Sequence, residues 1–363
     1  ICSKTRFKDS ETLEICEFAC KVLFRVFSKN KRLDKWKPEI RKVAHNVWFE
    51  NVQSSRVIDF LSELISSDDS EASLEIFLER IFYTINRSDP YKNWDDLSYF
   101  LFEHEQGLNP SWEANREDFS DKKKSIEHVI PQSYRKVAYW KDKLPSKTLG
   151  DKLMQRIGNL VLTGTNSEYG NKSYPDKRNG NPAGKGKYYA NSSSLKGEKI
   201  VAGVGPKDEW NSLEVSTREL ILAWFAFHRW KVDGEEGEVF SIPKTVEDWL
   251  TSNEGVSIEK IYGRLEEVDQ GSDADLPEGM LVRIKEIIDE KELQEEKVEG
   301  PVEPPVGDDS SNSEGDGLEE FEQAFQDINM KTWVEHSSDP DRPDRSEGEL
   351  RLGNRLWSPT EDK

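Results

Sequence analysis

A short apolar run near the middle of the chain reads Ile126-Glu127-His128-Val129-Ile130-Pro131-Gln132. Proline cannot donate to a sheet, so we predict a strand over 126–130 that Pro131 ends. A second apolar run, Leu160-Val161-Leu162, follows Gly158-Asn159 and predicts a second strand. Asn166 and the pair Asn171-Lys172 then open a helical stretch. The order strand, strand, helix is therefore predicted within residues 126–177.

Helical periodicity surrounds this segment on both sides. Residues 11–105 predict four or five helices, because apolar side chains recur at helical spacing. The predicted stretches are 13–27, 57–65, 70–86 and 94–104 before the strands, and 213–230, 258–268 and 280–293 after them. Between 164 and 206 the chain is rich in Gly, Asn, Ser and Lys, which predicts mainly loop.

These patterns predict an α+β protein, in which a mainly helical scaffold carries a small strand–strand–helix motif. We predict a helical scaffold over 1–107, the motif's domain over 108–232 and a helical extension over 233–297. An acidic, largely disordered tail is predicted over 298–363, including a small helix at 318–328.

Charge is distributed unevenly along the chain. The formal net charge is −20, and residues 251–363 hold 12 Lys/Arg and 32 Asp/Glu. Residues 121–200 hold 17 Lys/Arg and 7 Asp/Glu. Because salt screens exposed charges beyond about 10 Å, a phosphate backbone near 121–200 would meet a basic surface despite the acidic total. We therefore expect DNA as a partner, with Lys172, Lys177 and Arg178 binding its backbone.

The remaining composition bears on the setting of the protein. No run of apolar residues is long enough to cross a bilayer, so we expect no membrane partner. The three cysteines are too few for a disulfide framework, and Cys16 and Cys20 are expected to be buried thiols in a reducing cytoplasm. The chain begins at Ile1 without a signal-peptide pattern, and we expect a fragment of a longer soluble protein.

The motif contains residue types that suit phosphodiester hydrolysis. This reaction needs a base for water, a cation on the phosphate and a group that holds the base. His128 can be the base and Asn159 can orient it through a backbone or amide hydrogen bond. Oxygen donors from Glu127 and from Asn166 or Asn171 suit Mg²⁺ or Mn²⁺. Each residue also has a structural interpretation, since Asn166 and Asn171 could simply cap a helix.

Taken together, these segments resemble the HNH-type domain with a His-x-x-Pro signature. That domain is the C-terminal half of GmrSD-like, modification-dependent restriction enzymes, and the resemblance covers about residues 93–230. The core also looks like the HNH lobe of CRISPR effectors. HNH domains commonly have Asp where this chain has Glu127, and the Cys-x-x-Cys pairs of zinc-stabilised members are absent from the sequence.

The resemblance implies a ββα-metal nuclease. It makes His128 the general base, Asn159 the orienting residue, Asn166 or Asn171 a metal ligand and Lys177 a phosphate contact. It also implies a restriction or phage-defence role beside a nucleotide-hydrolysing partner domain or subunit, whose Asp-Gly-Gln-Gln-Arg motif this chain lacks. We predict a metal-dependent DNA endonuclease or nickase. The alternatives are a non-catalytic DNA-binding protein on a decayed nuclease fold, and a scaffold that docks a partner.

Overall fold

Two short antiparallel strands lie among helices in the computed structural model of the chain. The structure describes residues 7–28, 37–50, 52–66, 73–180, 188–191, 193–205, 209–232, 235, 237–253, 255–271 and 276–298. These residues belong to one compact unit that ends at Val298. The expected acidic tail after Val298 and its small helix at 318–328 lie outside the described residues.

Most of the described chain is helical. The first helices of the described chain are α1 Asp9–Phe27, α2 Lys37–Phe49, α3 Ser54–Ser66, α4 Leu74–Glu79, α5 Pro90–Asn93 and α6 Leu97–Leu108. Next come α7 Lys122–Ser125, strand β1 Ile126–His128, α8 Ala138–Lys143, α9 Lys147–Gln155 and strand β2 Leu160–Leu162. The chain continues with α10 Asn166–Tyr169, α11 Tyr174–Asn179, α12 Lys196–Val204, α13 Ser212–Trp230, α14 Lys244–Leu250, α15 Ile258–Gly271 and α16 Met280–Val298.

Helix α13 forms the centre of the main core. It starts in a capping box: the Asn211 side chain accepts from the backbone N–H of Glu214, and the Glu214 side chain accepts from the backbone N–H of Asn211. Most side chains of α13 are buried, on all sides of the helix. The helix packs against α1, α4, α6, α12 and α15. Trp230 at its end stacks on Phe100 of α6 with ring centroids 5.5 Å apart. The sequence-predicted helix at 213–230 is confirmed.

A smaller apolar cluster joins α1 and α3. On α1 it is formed by Ile15, Phe18, Val22 and Val26, which recur on one face of the helix. Cys16 and Cys20 lie one or two positions away from that face and are exposed. The expectation of buried thiols was therefore wrong, because the stripe that packs on α3 does not include them.

The strand pair has the predicted order but a shorter first strand. β1 and β2 are antiparallel, with Ile126 opposite Leu162, Glu127 opposite Val161 and His128 opposite Leu160. β1 was predicted to continue to Ile130 and ends at His128. The reason is that the side chain of Asn159, rather than a strand backbone, bonds to both backbone groups of Ile130.

The region 164–206 is less of a loop than its composition predicted, since α10, α11 and α12 form within it. Ser173 caps α11 by accepting from the Asp176 N–H. α12 is capped from α6, because the Glu105 carboxylate accepts from the N–H groups of Lys196 at 2.6 Å and Gly197 at 2.8 Å. A cap supplied from another helix leaves no local signal in sequence.

The C-terminal described part follows the prediction. Helices expected at 258–268 and 280–293 are observed as α15 and α16. None of the helices in the described part of the chain is long and apolar enough to cross a membrane.

Candidate active site

The strand pair brings the two predicted motifs into contact. His128 ends β1 and pairs with Leu160, so Asn159 lies directly beside the turn that follows the histidine. The Val129 N–H donates to the Asn159 carbonyl at 3.0 Å. Successive side chains of a strand point to opposite faces, so Glu127 and His128 face different surroundings.

The His128 side chain lies in a largely enclosed position, with only 8% of the residue exposed. The ring of Tyr91, from α5, meets the imidazole edge to face with centroids 4.6 Å apart. The Nε2 atoms of His128 and Gln132 lie 3.4 Å apart, and the Gln132 amide is the donor when the imidazole carries its proton on Nδ1. The enclosure comes from Tyr91, which belongs to a segment that lies far from β1 in the sequence.

The enclosure also affects the charge of the imidazole. Burial, with smaller contributions from the positive charges of Lys177 and Lys92, lowers the pKa of His128 to about 3. The ring is therefore neutral at physiological pH and keeps a nitrogen lone pair that can accept a proton.

Asn159 acts on the backbone that follows His128. Its Oδ1 accepts from the Ile130 N–H at 2.8 Å, and its Nδ2 donates to the carbonyls of Ile130 at 3.1 Å and Met154 at 2.9 Å. The indole of Trp210 donates to the same Oδ1 at 3.2 Å. Any orienting effect of Asn159 on His128 thus passes through the peptide chain.

Lys177 is fully buried, although we expected it on a DNA-facing surface. Its Nζ donates to Oε1 of Glu127 at 2.5 Å, to the His128 carbonyl at 2.8 Å and to the Val129 carbonyl at 3.1 Å. With no exposed surface, it cannot reach a phosphate in this structure. The observed location corrects the expectation, because the charge is taken up by β1 and the turn behind it.

Glu127 is the counter-ion of this lysine. Its carboxylate is buried, and the Tyr189 hydroxyl donates to it at 3.4 Å. Burial raises the pKa of Glu127 to about 7, while Lys177 acts in the opposite direction. The carboxylate faces the interior, away from the His128 side of the strand. The expected role as metal ligand does not fit this placement.

The two candidate amide ligands also have protein partners. The Asn166 Nδ2 donates to the carbonyls of Lys123 at 2.8 Å and Ile126 at 2.9 Å, which holds α10 to the start of β1. The Asn171 Oδ1 accepts from the Ser133 hydroxyl at 2.6 Å. Glu127, Asn166 and Asn171 thus serve three separate contacts. Among the described residues, no three acidic, histidine or cysteine side chains are close enough to hold a metal.

The other two predicted DNA contacts lie nearer the surface. Lys172 is exposed, and its carbonyl accepts from the buried Trp140 indole at 3.0 Å, which fixes the backbone there. Arg178 is half-buried, with Nε donating to the Ala202 carbonyl at 2.9 Å and Nη1 to the Asn179 amide oxygen at 2.7 Å. Lys172 and Arg178 are therefore accessible to solvent, whereas Lys177 is not.

Behind β2, helix α13 supports the Gly158-Asn159 turn. Arg218 is buried, and its Nη1 donates to the carbonyls of Ile157 at 3.3 Å and Gly158 at 2.9 Å, and also to that of Leu160. A Cβ at Gly158 would overlap the Val215 carbonyl oxygen, so only glycine permits this approach.

Sequence reasoning missed Tyr91 and the role of Gln132. Gln132 was visible as part of the His-x-x-Pro segment, four residues after His128, whereas Tyr91 carries no motif and precedes the segment by many residues. Its signal would have been the Asp89-Pro90 pair, which is typical of a turn into a helix.

The comparison with known families bears on the same segment. Residues 76–223 match the family described as GmrSD restriction endonucleases, C-terminal domain. Searches of curated proteins and of solved structures find no match. The matched range contains β1, β2, His128, Asn159 and Lys177, and it extends back to α5 with Tyr91. Residues 76–223, less than half of the chain, are therefore similar to the C-terminal domain of GmrSD restriction endonucleases.

Proposed function

We propose that this chain hydrolyses phosphodiester bonds in DNA, with His128 as the general base. The observation that carries the proposal is that Lys177 and Asn159 hold the backbone of the turn that begins at His128, within the segment that matches the C-terminal domain of GmrSD restriction endonucleases. Lys177 donates to the carbonyls of His128 and Val129, and Asn159 bonds to the Val129 N–H and to both backbone groups of Ile130. A base held in this way keeps its geometry through the reaction.

The chemistry assigned to the residues is limited to proton transfer and positioning. A water beside the imidazole would give a proton to the unprotonated ring nitrogen as its oxygen attacks phosphorus. The bond from phosphorus to the leaving ester oxygen would break, that oxygen would take a proton from solvent, and the imidazolium would release its proton to solvent. Gln132 lies close enough to Nε2 to influence which nitrogen carries the proton. Asn159 and Lys177 act through the peptide chain that carries His128.

We propose an HNH-type site because of the order of the elements. β1 carries the histidine, β2 carries the asparagine just before it, and α10 and α11 follow in the chain. A requirement for Mg²⁺ or Mn²⁺ belongs to this proposal, but the three expected ligands do not form one set in this structure. Glu127 would have to exchange Lys177 for the metal, so we assign no reaction step to a metal.

DNA is the proposed substrate because of the positive charge in this part of the chain. Exposed Lys172 and half-buried Arg178 follow β2, and both lie within residues 121–200, which hold 17 Lys/Arg and 7 Asp/Glu. Backbone contacts of this kind bind DNA without reading its sequence. Cleavage of one or both strands, a defence role and a nucleotide-hydrolysing partner belong to the same proposal by resemblance.

A second candidate is a DNA-binding protein without catalysis. The observation that favours it is the internal ion pair of Glu127 with Lys177, which removes the one carboxylate among the expected ligands. The intact His128 and its held backbone favour the enzyme instead.

Plasmid cleavage separates the two candidates. Supercoiled DNA is incubated with the full chain in Mg²⁺, in Mn²⁺ and in EDTA, beside His128→Ala and the surface control His45→Ala on α2. We expect nicking or linearisation by the wild type and His45→Ala with metal only, and a loss of at least about 10²-fold in His128→Ala. Binding without cleavage under all conditions would favour the second candidate, and cleavage in EDTA would refute the metal requirement.

A further inference from the structure

The turn before α5 has an unusual backbone. Asp89 has φ 59° and ψ 79°, and among the residues that the structure describes it is the one non-glycine with positive φ. A side chain in this region costs energy, so the surrounding structure must hold it there. Asp89 caps α5, accepting from the Lys92 N–H at 3.3 Å, and Pro90 begins the helix. The result is a single short turn of helix with a defined direction.

Two further contacts hold this turn in place. The Lys122 Nζ, from α7 just before β1, donates to the Trp94 carbonyl at 2.6 Å and to the Tyr91 carbonyl at 3.4 Å. Trp94 itself is buried, and its indole donates at 3.1 Å to the hydroxyl of Ser28, the residue that follows α1. The backbone of Tyr91 is thus tied to the segment that leads into the catalytic strand.

The Tyr91 ring uses this placement to contact His128. The two ring planes meet at 68° with centroids 4.6 Å apart, which is an edge-to-face arrangement that aromatic rings favour. Gln132 approaches the same imidazole at Nε2. Tyr91 is only half-buried, so its ring covers the histidine from the solvent side and is not a large part of the core.

We propose that Tyr91 is a positioning residue for His128, holding the imidazole in one orientation through the edge-to-face contact. This inference rests on the proposed function of His128 as general base. The strained Asp89 cap and the Lys122 bonds serve to present the ring. The role requires the aromatic ring and not its hydroxyl, since the contact with His128 is made between the two rings.

The test compares Tyr91→Leu with Tyr91→Phe. Tyr83→Leu is the matched control, because Tyr83 is also a half-buried tyrosine in an edge-to-face contact, with Trp249. Cleavage is measured over a range of DNA concentrations, and the ring proton shifts of His128 are measured by NMR without DNA. Thermal melting shows that each variant is folded.

We expect Tyr91→Leu to lower kcat by about tenfold or more, with KM changed less than about twofold, because binding is retained while geometry is lost. Its His128 ring shifts should move. Tyr91→Phe and Tyr83→Leu should keep the wild-type kcat and the wild-type His128 shifts. If Tyr91→Leu does not fold, Lys122→Met loosens the turn while leaving the ring, and the same two changes are expected.

Wild-type kcat in the folded Tyr91→Leu protein, or in Lys122→Met where that variant replaces it, would overturn the proposal. Unmoved His128 shifts, or an equal loss in Tyr91→Phe, would also overturn it. A wild-type chain that binds but never cuts DNA refutes the proposed function and this role with it. That outcome can be told apart from a failure of the Tyr91 contact alone, because the His128 ring shifts still show whether the contact exists.

Discussion

Replacing Lys177 by methionine distinguishes an interior ion pair from a DNA contact. The change keeps most of the aliphatic stem and removes the ammonium that bonds Glu127 and the carbonyls of His128 and Val129. Lys172→Met is the matched control, since Lys172 lies in the same segment and is exposed.

The expected loss of stability follows from the burial of both partners. Removing one member of a buried pair typically costs about 3–5 kcal/mol, because the remaining charge stays desolvated. Two backbone carbonyls also lose their donor, at about 1–3 kcal/mol for each one left unsatisfied. Protonation of Glu127, whose pKa is raised to about 7, offsets part of this loss. We therefore expect Lys177→Met to lose at least about 3 kcal/mol of unfolding free energy, and Lys172→Met less than about 0.5 kcal/mol.

Urea unfolding at pH 7, followed by tryptophan fluorescence, measures both values. The double variant Glu127→Met with Lys177→Met should be more stable than Lys177→Met alone, because the unpaired carboxylate is removed with its partner. A Lys177→Met protein as stable as the wild type, with weakened DNA binding, would refute the interior pair and restore the phosphate contact.

Three further outcomes are expected. The double variant Lys172→Glu with Arg178→Glu should weaken DNA binding equally across sequences and reduce the slope of log affinity against log salt by about 0.9 for each lost phosphate contact. An unchanged slope would show that neither residue contacts DNA. Gly158→Ala should lower the melting temperature, because its Cβ would overlap a carbonyl of α13. The control Gly164→Ala has open space around its Cβ and should melt like the wild type. Equal melting temperatures of the two variants would contradict the close approach of Gly158 to α13. Burial lowers the pKa of His104 to about 3, so between pH 6.5 and 3 the unfolded chain binds a proton that the folded chain does not, and the unfolding free energy falls as the pH falls. Relative to His104→Leu, the wild type should lose about 1.4 kcal/mol of unfolding free energy for each pH unit in that window. Parallel curves of unfolding free energy against pH for the two proteins would show that His104 protonates in the folded state.

The sequence alone determined the main elements of the site. Proline after an apolar run, glycine and asparagine before a second run, and helical periodicity on both sides depend on local backbone preferences, so β2, α13, α15 and α16 were predicted from short windows. The same order of elements along the chain brought His128 and Asn159 together, because two consecutive apolar strands usually pair with each other.

Only the tertiary structure decided what the charged and aromatic side chains do. A lysine after a helix start reads as a surface residue, but packing of α11 against β1 turned Lys177 inward, where Glu127 stabilises its charge. Tyr91 reached His128 because a strained turn and Lys122 direct it there. Such contacts depend on the relative placement of segments far apart in the chain, and no local preference encodes that placement.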